Sequence, residues 1–172
     1  VMETSDILPT QINTIISHIL PKPVGGFRPI GVFTGPYRLR DKISRPLAVR
    51  WENDNPRPWF AAGKFMGAAD SVWVQNLQSE AGVAARQCAC TLLWGFNKYY
   101  EGLNIAQVEA RCTEHGFPAA ISRLACQAYR GPRFLSLQGV ISPGYYATSG
   151  VVAGCQFATT SIRSNSLDGL HS

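Results

Sequence analysis

Two short apolar runs, separated by residues that favour a turn, begin the hydrophobic pattern of this chain. Residues 14–20 are rich in β-branched side chains, and residues 27–33 form a second apolar run. Prolines and a Gly-Gly pair lie between the two runs, so the pattern predicts a β-hairpin. Residues 51–59 concentrate proline, asparagine and charge, and they predict a loop.

A helical repeat and a short apolar run occupy the middle of the chain. After Asp70, a residue type that caps helices, Trp73, Leu77 and Ala81 recur every four residues. This spacing predicts a helix with its apolar face in the core. Residues 88–94 form an apolar run with the length of a buried strand, and they predict one.

Two amphipathic helices follow. Asn104 with Gln107 resembles a capping box and begins the first helix, which is predicted to end at Gly116. Pro118 suits the first turn of the second helix, which is predicted to end at Gly131. The predicted core faces are Ile105, Val108 and Cys112 in the first helix, and Ile121, Leu124, Ala125 and Ala128 in the second.

The period of the pattern becomes strand-like again near the end of the chain. Residues 133–152 contain two β-like runs around Ser142, Pro143 and Gly144, which predicts a second hairpin that turns at these three residues. A short final helix is predicted from about Phe157. Strands and helices in this order predict the α+β class, because they do not alternate strictly.

The charge and the cysteines narrow the class of protein. The 172 residues include 16 basic and 11 acidic side chains, a net charge of +5 that suits a polyanionic partner but is also common in proteins without one. Five cysteines, an odd number without zinc-ligand spacing, favour small buried thiols in a reduced, intracellular protein that lacks a signal peptide. No apolar run approaches the roughly 18 residues of a membrane span, so no membrane partner is predicted.

The most informative motif is LPKPVGGFRPIGVFTGPYRLRDKI, residues 20–43. It resembles the opening fingers motifs of non-LTR retrotransposon (LINE-type) reverse transcriptases, which have an LPKP, a glycine turn, an RPI and a tyrosine followed by basic residues. The resemblance implies that Arg28 binds the phosphates of the incoming nucleotide, and an arginine fork suits a triphosphate. It also assigns nucleic-acid contacts to Lys22 and Arg38.

Two further segments resemble the same family. Residues 60–84 are similar to its glycine-containing turn and following helix, where the resemblance gives Lys64 a contact with the template backbone. An exposed lysine without a function is the alternative for Lys64. Residues 149–162, SGVVAGCQFATTSI, resemble the loop that supports the template and the incoming base, which implies nucleotide binding at Gly154. Many family members have glutamine where this chain has Ala153.

The segment LLWGFNKYYEGLN, residues 92–104, resembles the first palm motif of the family. Its lysine, aromatic and acidic positions are occupied, but Gly95 stands where the motif has a catalytic aspartate. The resemblance places Phe96 and Tyr100 beside the nucleotide, with Tyr100 as the steric gate against a 2′-hydroxyl; a ring packed under the strand is the alternative. Polymerases hold two Mg²⁺ ions with such carboxylates, and glycine supplies no ligand. We therefore expect no productive Mg²⁺ binding, and no metal ligand is assigned.

Taken together, the resemblance covers residues 14–165 and predicts a partial right-hand polymerase of antiparallel hairpins packed with helices. Residues 14–85 are predicted to be fingers-like, residues 86–165 to be front-palm-like, and residues 166–172 to be a frayed tail. The implied partners are an RNA template, a DNA primer and dNTP, and the implied compartment includes the nucleus. The family's aromatic-x-Asp-Asp motif does not occur in the sequence. Three readings stay open: a reverse transcriptase fragment without activity, a non-catalytic nucleic-acid-binding remnant, and a remnant without a stable fold.

Overall fold

The computed structural model describes residues 7–57, 67–88, 90 and 98–167. The chain forms two compact units, of which the first joins Val1–Asp54 with Lys98–Ser172 and the second is Asn55–Asn97. Helices and a small mixed sheet account for the regular structure, so the predicted α+β class is confirmed. The polymerase architecture stays a prediction.

Five strands form the sheet of the first unit. They are β1 (Ile15–Pro21), β2 (Phe27–Phe33), β3 (Pro132–Leu137), β4 (Val140–Ile141) and β5 (Tyr145–Tyr146). The order is β2-β1-β3-β4, and β5 pairs with the beginning of β3. The predicted first hairpin is confirmed, because β1 and β2 pair antiparallel from Ile15 opposite Phe33 to Pro21 opposite Phe27.

The sheet differs from the predicted set of antiparallel hairpins at two places. First, β1 and β3 are parallel, which a hairpin cannot produce; the long intervening segment with its helices makes the crossover. Second, the last hairpin turns at Gln138 and Gly139, not at residues 142–144. Both turn residues have positive φ, 50° and 85°, as a tight two-residue turn between twisted strands requires.

Six α-helices lie in the described part of the chain: α1 (Gly35–Asp54), α2 (Ala68–Ala84), α3 (Tyr99–Gly102), α4 (Ile105–Glu114), α5 (Ala119–Arg130) and α6 (Ala158–Asn165). The predicted helices at α4, α5 and α6 are confirmed. Asn104 caps α4, since its side-chain oxygen accepts hydrogen bonds from the N–H groups of Ala106 and Gln107 at 2.9 and 3.2 Å. None of these helices has the length and apolar character that crossing a bilayer demands.

The longest helix, α1, was not predicted, and its last turn overlaps the loop predicted at residues 51–59. Pro46 interrupts the helical pattern of the sequence, because proline cannot donate to the carbonyl one turn earlier. Packing holds the helix despite this lost hydrogen bond. Trp51 donates from Nε1 to the carbonyl of His115 at 2.8 Å and packs edge-to-face on Phe117.

The core of the first unit lies between the sheet and α1, α4, α5 and α6. All seven residues predicted to form the faces of α4 and α5 are buried, with Ile15, Tyr37, Tyr129 and Phe157 among the larger side chains around them. Leu167 is also in the core, with 2% of its surface exposed, so the frayed tail predicted from residue 166 is wrong at this position. Residues 168–172 lie outside the described part.

In the second unit, the predictions around α2 need correction. The N-cap is Gly67, not Asp70; the Asp70 carboxylate instead accepts a hydrogen bond from the Gly67 N–H at 2.7 Å, from within the first turn. Trp73 and Leu77 were predicted to be core, but they are 68% and 58% exposed, and no residue of α2 is buried. A helical repeat of apolar residues shows which face is apolar, and it does not show that another element covers that face.

The cysteines divide into two groups. Cys112, Cys126 and Cys155 are buried, as predicted, whereas Cys88 and Cys90 are exposed, which the prediction of small buried thiols had wrong. The other residues of the strand predicted at residues 88–94 lie outside the described part of the chain.

A close approach of two glycines joins β2 to the turn before α6. The Gly31 N–H donates to the Ala153 carbonyl at 2.8 Å, and a Cβ on Gly154 would overlap the carbonyl oxygen of Gly31. Gly154 also has φ of +115°, a backbone conformation that side chains rarely adopt. Glycine at position 154 therefore meets a steric and a conformational requirement at once.

We expect Gly154→Ala to lower the free energy of unfolding by about 3 kcal/mol, because overpacking against backbone adds to the cost of positive φ. Gly139→Ala is the matched control, since Gly139 has φ of +85° with no atom within 4 Å of a built Cβ. It should cost only about 1 kcal/mol. Urea denaturation of both variants measures the difference. Equal losses would show that the contact with Gly31 does not limit position 154.

Candidate functional site

A cavity of about 190 Å³ lies where β2, α1 and the turn before α6 meet. It is lined by Phe33, Arg38, Asp41, Lys42, Gly154 and Gln156. Two residues singled out in the sequence, Arg38 and Gly154, therefore face the same space, although 116 positions separate them in the chain.

Local structure fixes the two cations of the cavity on one side of α1. The chain leaves β2 at Phe33, whose ring stacks on Tyr37 at 4.7 Å, and the Thr34 side chain donates to the carbonyl of Ile12 at 2.9 Å. Tyr37 is buried, so the rotation of α1 about its axis is set by the core. Arg38 and Lys42, one helical turn apart, consequently lie together on an exposed face beside the cavity.

The carboxylate of the cavity, Asp41, has its own counter-ion. Arg40 donates from Nη1 to Asp41 Oδ1 at 3.1 Å, and its Nη2 donates to the carbonyl of Ala120 in α5. Both side chains are buried. Burial raises the pKa of Asp41 from the usual 3.8 to about 6, and the nearby Arg40 opposes this rise only in part. At neutral pH the pair is ionised and nearly compensated, so Arg38 and Lys42 determine the sign of the cavity.

Gln156 adds an uncharged hydrogen-bond donor to the cavity. Its Nε2 is buried and has no hydrogen-bond partner among the described residues. Leaving a buried donor unpaired costs about 1–3 kcal/mol. A ligand with acceptor oxygens would recover this free energy, and the cavity thus has the features of an anion-binding site.

The segment that carries Gly154 is also tied to the region of Tyr100. Val151 donates its N–H to the Tyr100 carbonyl, and Gly150 donates to the Leu103 carbonyl, both at 2.8 Å. Arg133 braces the same segment by donating to the Gly150 carbonyl at 3.0 Å. The Tyr100 side chain is partly exposed and meets Tyr99 edge-to-face.

The cations at the first hairpin do not line this cavity. Arg28 is exposed on β2, where strand alternation puts it on the face opposite to Gly31 and Phe33. Lys22 is exposed in the turn that follows β1, and its N–H donates to the Gly26 carbonyl at 2.9 Å. The structure thus brings Arg38 and Gly154 together, with Tyr100 on a connected segment, and leaves Arg28 and Lys22 apart from them.

Three of the candidate positions, Lys64, Gly95 and Phe96, lie outside the described residues. Among the described ones, no group of three or more His, Cys, Asp or Glu side chains is arranged to hold a metal ion.

Sequence reasoning missed four residues of the cavity: Phe33, Asp41, Lys42 and Gln156. The signal for Lys42 was present, because Arg38 and Lys42 have helical i, i+4 spacing within the YRLRDK stretch. It went unused since no helix was predicted there. Gln156 gave no signal, because the contact depends on the turn before α6.

Comparison with known proteins adds no assignment to this geometry. No protein-family model matches the chain, and no curated protein matches it. The function must therefore be argued from the motifs and from the cavity.

We expect the stability of the protein to fall as the pH rises from about 4 to about 6. The raised pKa means that folded Asp41 holds its proton where the unfolded chain has released it, so protonation stabilises the fold and the gain is lost by about pH 6. Asp41→Asn, which keeps the acceptor for Arg40, should flatten this part of the curve. Urea midpoints between pH 4 and pH 7 measure it.

Asp54→Asn, at the exposed end of the same helix, is the control for removing one carboxylate. It should leave the slope between pH 4 and pH 6 as in the unmodified protein. An unchanged slope in Asp41→Asn would show that another group titrates.

Proposed function

We propose that this chain is a piece of a retroelement reverse transcriptase that binds the phosphates of nucleotides and nucleic acid and does not polymerise DNA. The observation that carries the proposal is the cavity that holds Arg38, Lys42 and Gly154 together. Residues from two separate motifs of the resemblance contribute to one anion-binding space. Its partners would be an RNA template, a DNA primer and dNTP.

The size of the cavity favours a phosphate group over a whole nucleotide. Pockets that enclose small organic ligands usually measure about 300–1,000 Å³, and this one measures about 190 Å³. A water molecule takes about 30 Å³ of liquid volume, so the space suits a phosphate with some of its water. The base and the sugar would lie outside it.

The charges support the same ligand. Arg38 and Lys42 make no ion pair with any described residue, while Asp41 is paired with Arg40. Two cations are therefore available to an anion, and the Gln156 amide supplies a further donor. Charge-assisted hydrogen bonds to phosphate are stronger than neutral ones, which makes phosphate a suitable ligand.

The contact of β2 with the turn at Gly154 supports the family part of the proposal. The resemblance assigns the RPI motif of β2 and the Gly154 loop to one nucleotide site. In this chain the two segments meet through Gly31 and Gly154. A chance likeness of short motifs would not require these segments to be neighbours.

Gly95 is the reason to propose that the chain no longer polymerises DNA. The palm motif needs a carboxylate at this position to hold Mg²⁺ against the attacking and leaving oxygens. Glycine has no such group, so the chain would retain its binding of nucleotides and nucleic acid but lose catalysis.

We expect the chain to bind dTTP, and Arg38→Ala and Lys42→Ala each to weaken binding about five- to tenfold through loss of a charge-assisted contact. Fluorescence titration with a labelled dTTP analogue, with unlabelled dTTP as competitor, measures the affinities. Arg111→Ala is the control, because it removes the same charge and Arg111 does not line the cavity.

Equal affinities in all three variants, or no binding by the unmodified chain, would sink the assignment of the cavity. Arg28→Ala belongs in the same series. A loss there would support the triphosphate contact implied by the resemblance, and unchanged binding would confine the site to the cavity.

We expect no primer extension on an oligo(dT)-primed poly(rA) template with dTTP, in either Mg²⁺ or Mn²⁺, because Gly95 cannot ligate a metal ion. Incorporation of labelled dTTP, compared with a heat-inactivated sample, measures this. Extension by the unmodified chain above that background would refute the account of Gly95.

A further inference from the structure

The cavity beside α1 has a single carboxylate among the described residues that line it. Arg38, Lys42 and the Gln156 amide can donate hydrogen bonds to an oxyanion, whereas the Asp41 carboxylate can only accept them while it is ionised. An ionised acceptor in an anion-binding cavity repels any oxyanion that brings no proton. The contact is sensitive to pH, because two acidic groups that face each other titrate as a pair.

One oxygen of the Asp41 carboxylate is engaged and the other is not. Oδ1 accepts a hydrogen bond from Nη1 of Arg40 at 3.1 Å, and Oδ2 makes no hydrogen bond with a described residue. Arg40 also donates to the carbonyl of Ala120, which holds it between Asp41 and α5. Asp41 is only 3% exposed, so it is shielded from bulk water. The space from which a donor can reach Oδ2 is therefore the cavity that Asp41 lines.

The other acidic groups around Asp41 keep their protons at neutral pH. They are Tyr37, one turn earlier on α1, and Cys155 in the turn before α6. Burial raises the pKa of the Cys155 thiol to about 11 and that of the Tyr37 hydroxyl well above its ordinary value. The groups on the α5 and β2 sides, the Ala120 carbonyl and the Phe33 ring, do not ionise. A proton taken up in the cavity near pH 6 therefore belongs to Asp41 or to the ligand.

We propose that Asp41 makes the cavity selective for a phosphate that can bring or take up a proton, over oxyanions that cannot. The proton lies between Asp41 Oδ2 and a phosphate oxygen, where it replaces the repulsion of two acceptors by a hydrogen bond. Inorganic phosphate and phosphate monoesters, whose second pKa is about 6, have such an oxygen. Sulfate and the diesters within a strand do not. The inference rests on the proposed function and names the class of ligand that the same cavity accepts.

The same contact makes the binding of a proton-free anion depend on pH. Burial raises the pKa of Asp41 to about 6, so the side chain is mostly protonated at pH 5 and ionised at pH 8. Protonated Asp41 can donate to sulfate, whereas ionised Asp41 repels it. A sulfate that raises this pKa by a further unit would bind roughly tenfold more tightly at pH 5 than at pH 8.

Isothermal titration calorimetry with inorganic phosphate and with sulfate, at equal ionic strength, tests the selectivity. At pH 8 we expect phosphate to bind about tenfold more tightly than sulfate, the effect of one hydrogen bond to a charged group. At pH 5 this preference should disappear. Sulfate binding at pH 6.5 should take up about half a proton, given a folded pKa of about 6 and a rise of one unit on binding. Titrations in buffers of different ionisation enthalpy count this proton.

Two asparagine variants separate Asp41 from a general effect of charge. Asp41→Asn keeps an acceptor for Arg40 and offers the cavity an amide donor that does not titrate. It should bind phosphate and sulfate alike at both pH values and take up no proton. Asp54→Asn, at the exposed end of the same helix, removes the same charge and should keep the preference of the unmodified chain. The two pH values and the proton count test the unmodified chain by themselves, so the result does not depend on how well Asp41→Asn folds.

The outcomes distinguish this inference from the proposed function. Equal affinities for phosphate and sulfate at pH 8, both weakened by Arg38→Ala, would overturn the selectivity and leave the phosphate cavity in place. A preference for phosphate that persists in Asp41→Asn would also overturn it, because another group would then hold the proton. If neither anion binds at either pH, the cavity of the proposed function falls and this inference falls with it.

Discussion

β2 and the turn before α6 are in direct backbone contact at Gly31 and Gly154, and this contact sets the distance between the two segments. No side chain separates them, and the hydrogen bond from Gly31 to Ala153 keeps them in register. Because Phe33 follows on the same face of β2 and Gln156 follows in the same turn, this contact determines whether the two walls of the cavity face each other. The core beneath them would tolerate many apolar replacements, whereas this contact tolerates almost none.

The packing of α1 against the core decides which of its charged residues are buried and which are exposed. The buried face of the helix carries Arg40 and Asp41. They form an ion pair, and Arg40 also donates to a carbonyl of α5. Such a buried pair contributes little net stability, since desolvation offsets most of the attraction. Its effect here is positional, because a helix held at this rotation must present Arg38 and Lys42 together beside the cavity. The positive charge beside the cavity is thus a consequence of which residues of α1 face the core.

Local signals predicted much of the fold, and long-range contacts explain most of what they missed. The Gly-Gly turn of the first hairpin and the Asn104 cap act within a few residues, so the sequence alone indicated those elements. Helix α1 has a proline in its middle and gains its stability from contacts such as Trp51 with His115, 64 positions away. Arg38 and Gly154 were singled out separately, each through the resemblance, and nothing in the sequence indicated that they line one cavity. Gln156 was not singled out at all, because no local pattern indicates where two distant segments will meet.

The five thiols of this chain can report its unfolding, because they differ in exposure. Cys112, Cys126 and Cys155 are buried, and burial raises the pKa of Cys126 to about 12 and that of Cys155 to about 11. Alkylating reagents attack thiolates that they can reach. While the first unit is folded, burial blocks access to these sulfurs and the raised pKa keeps them protonated. Cys88 and Cys90, exposed in the second unit, have no such steric shield. The timing of labelling therefore separates local exposure from global unfolding in a single molecule, without any added probe.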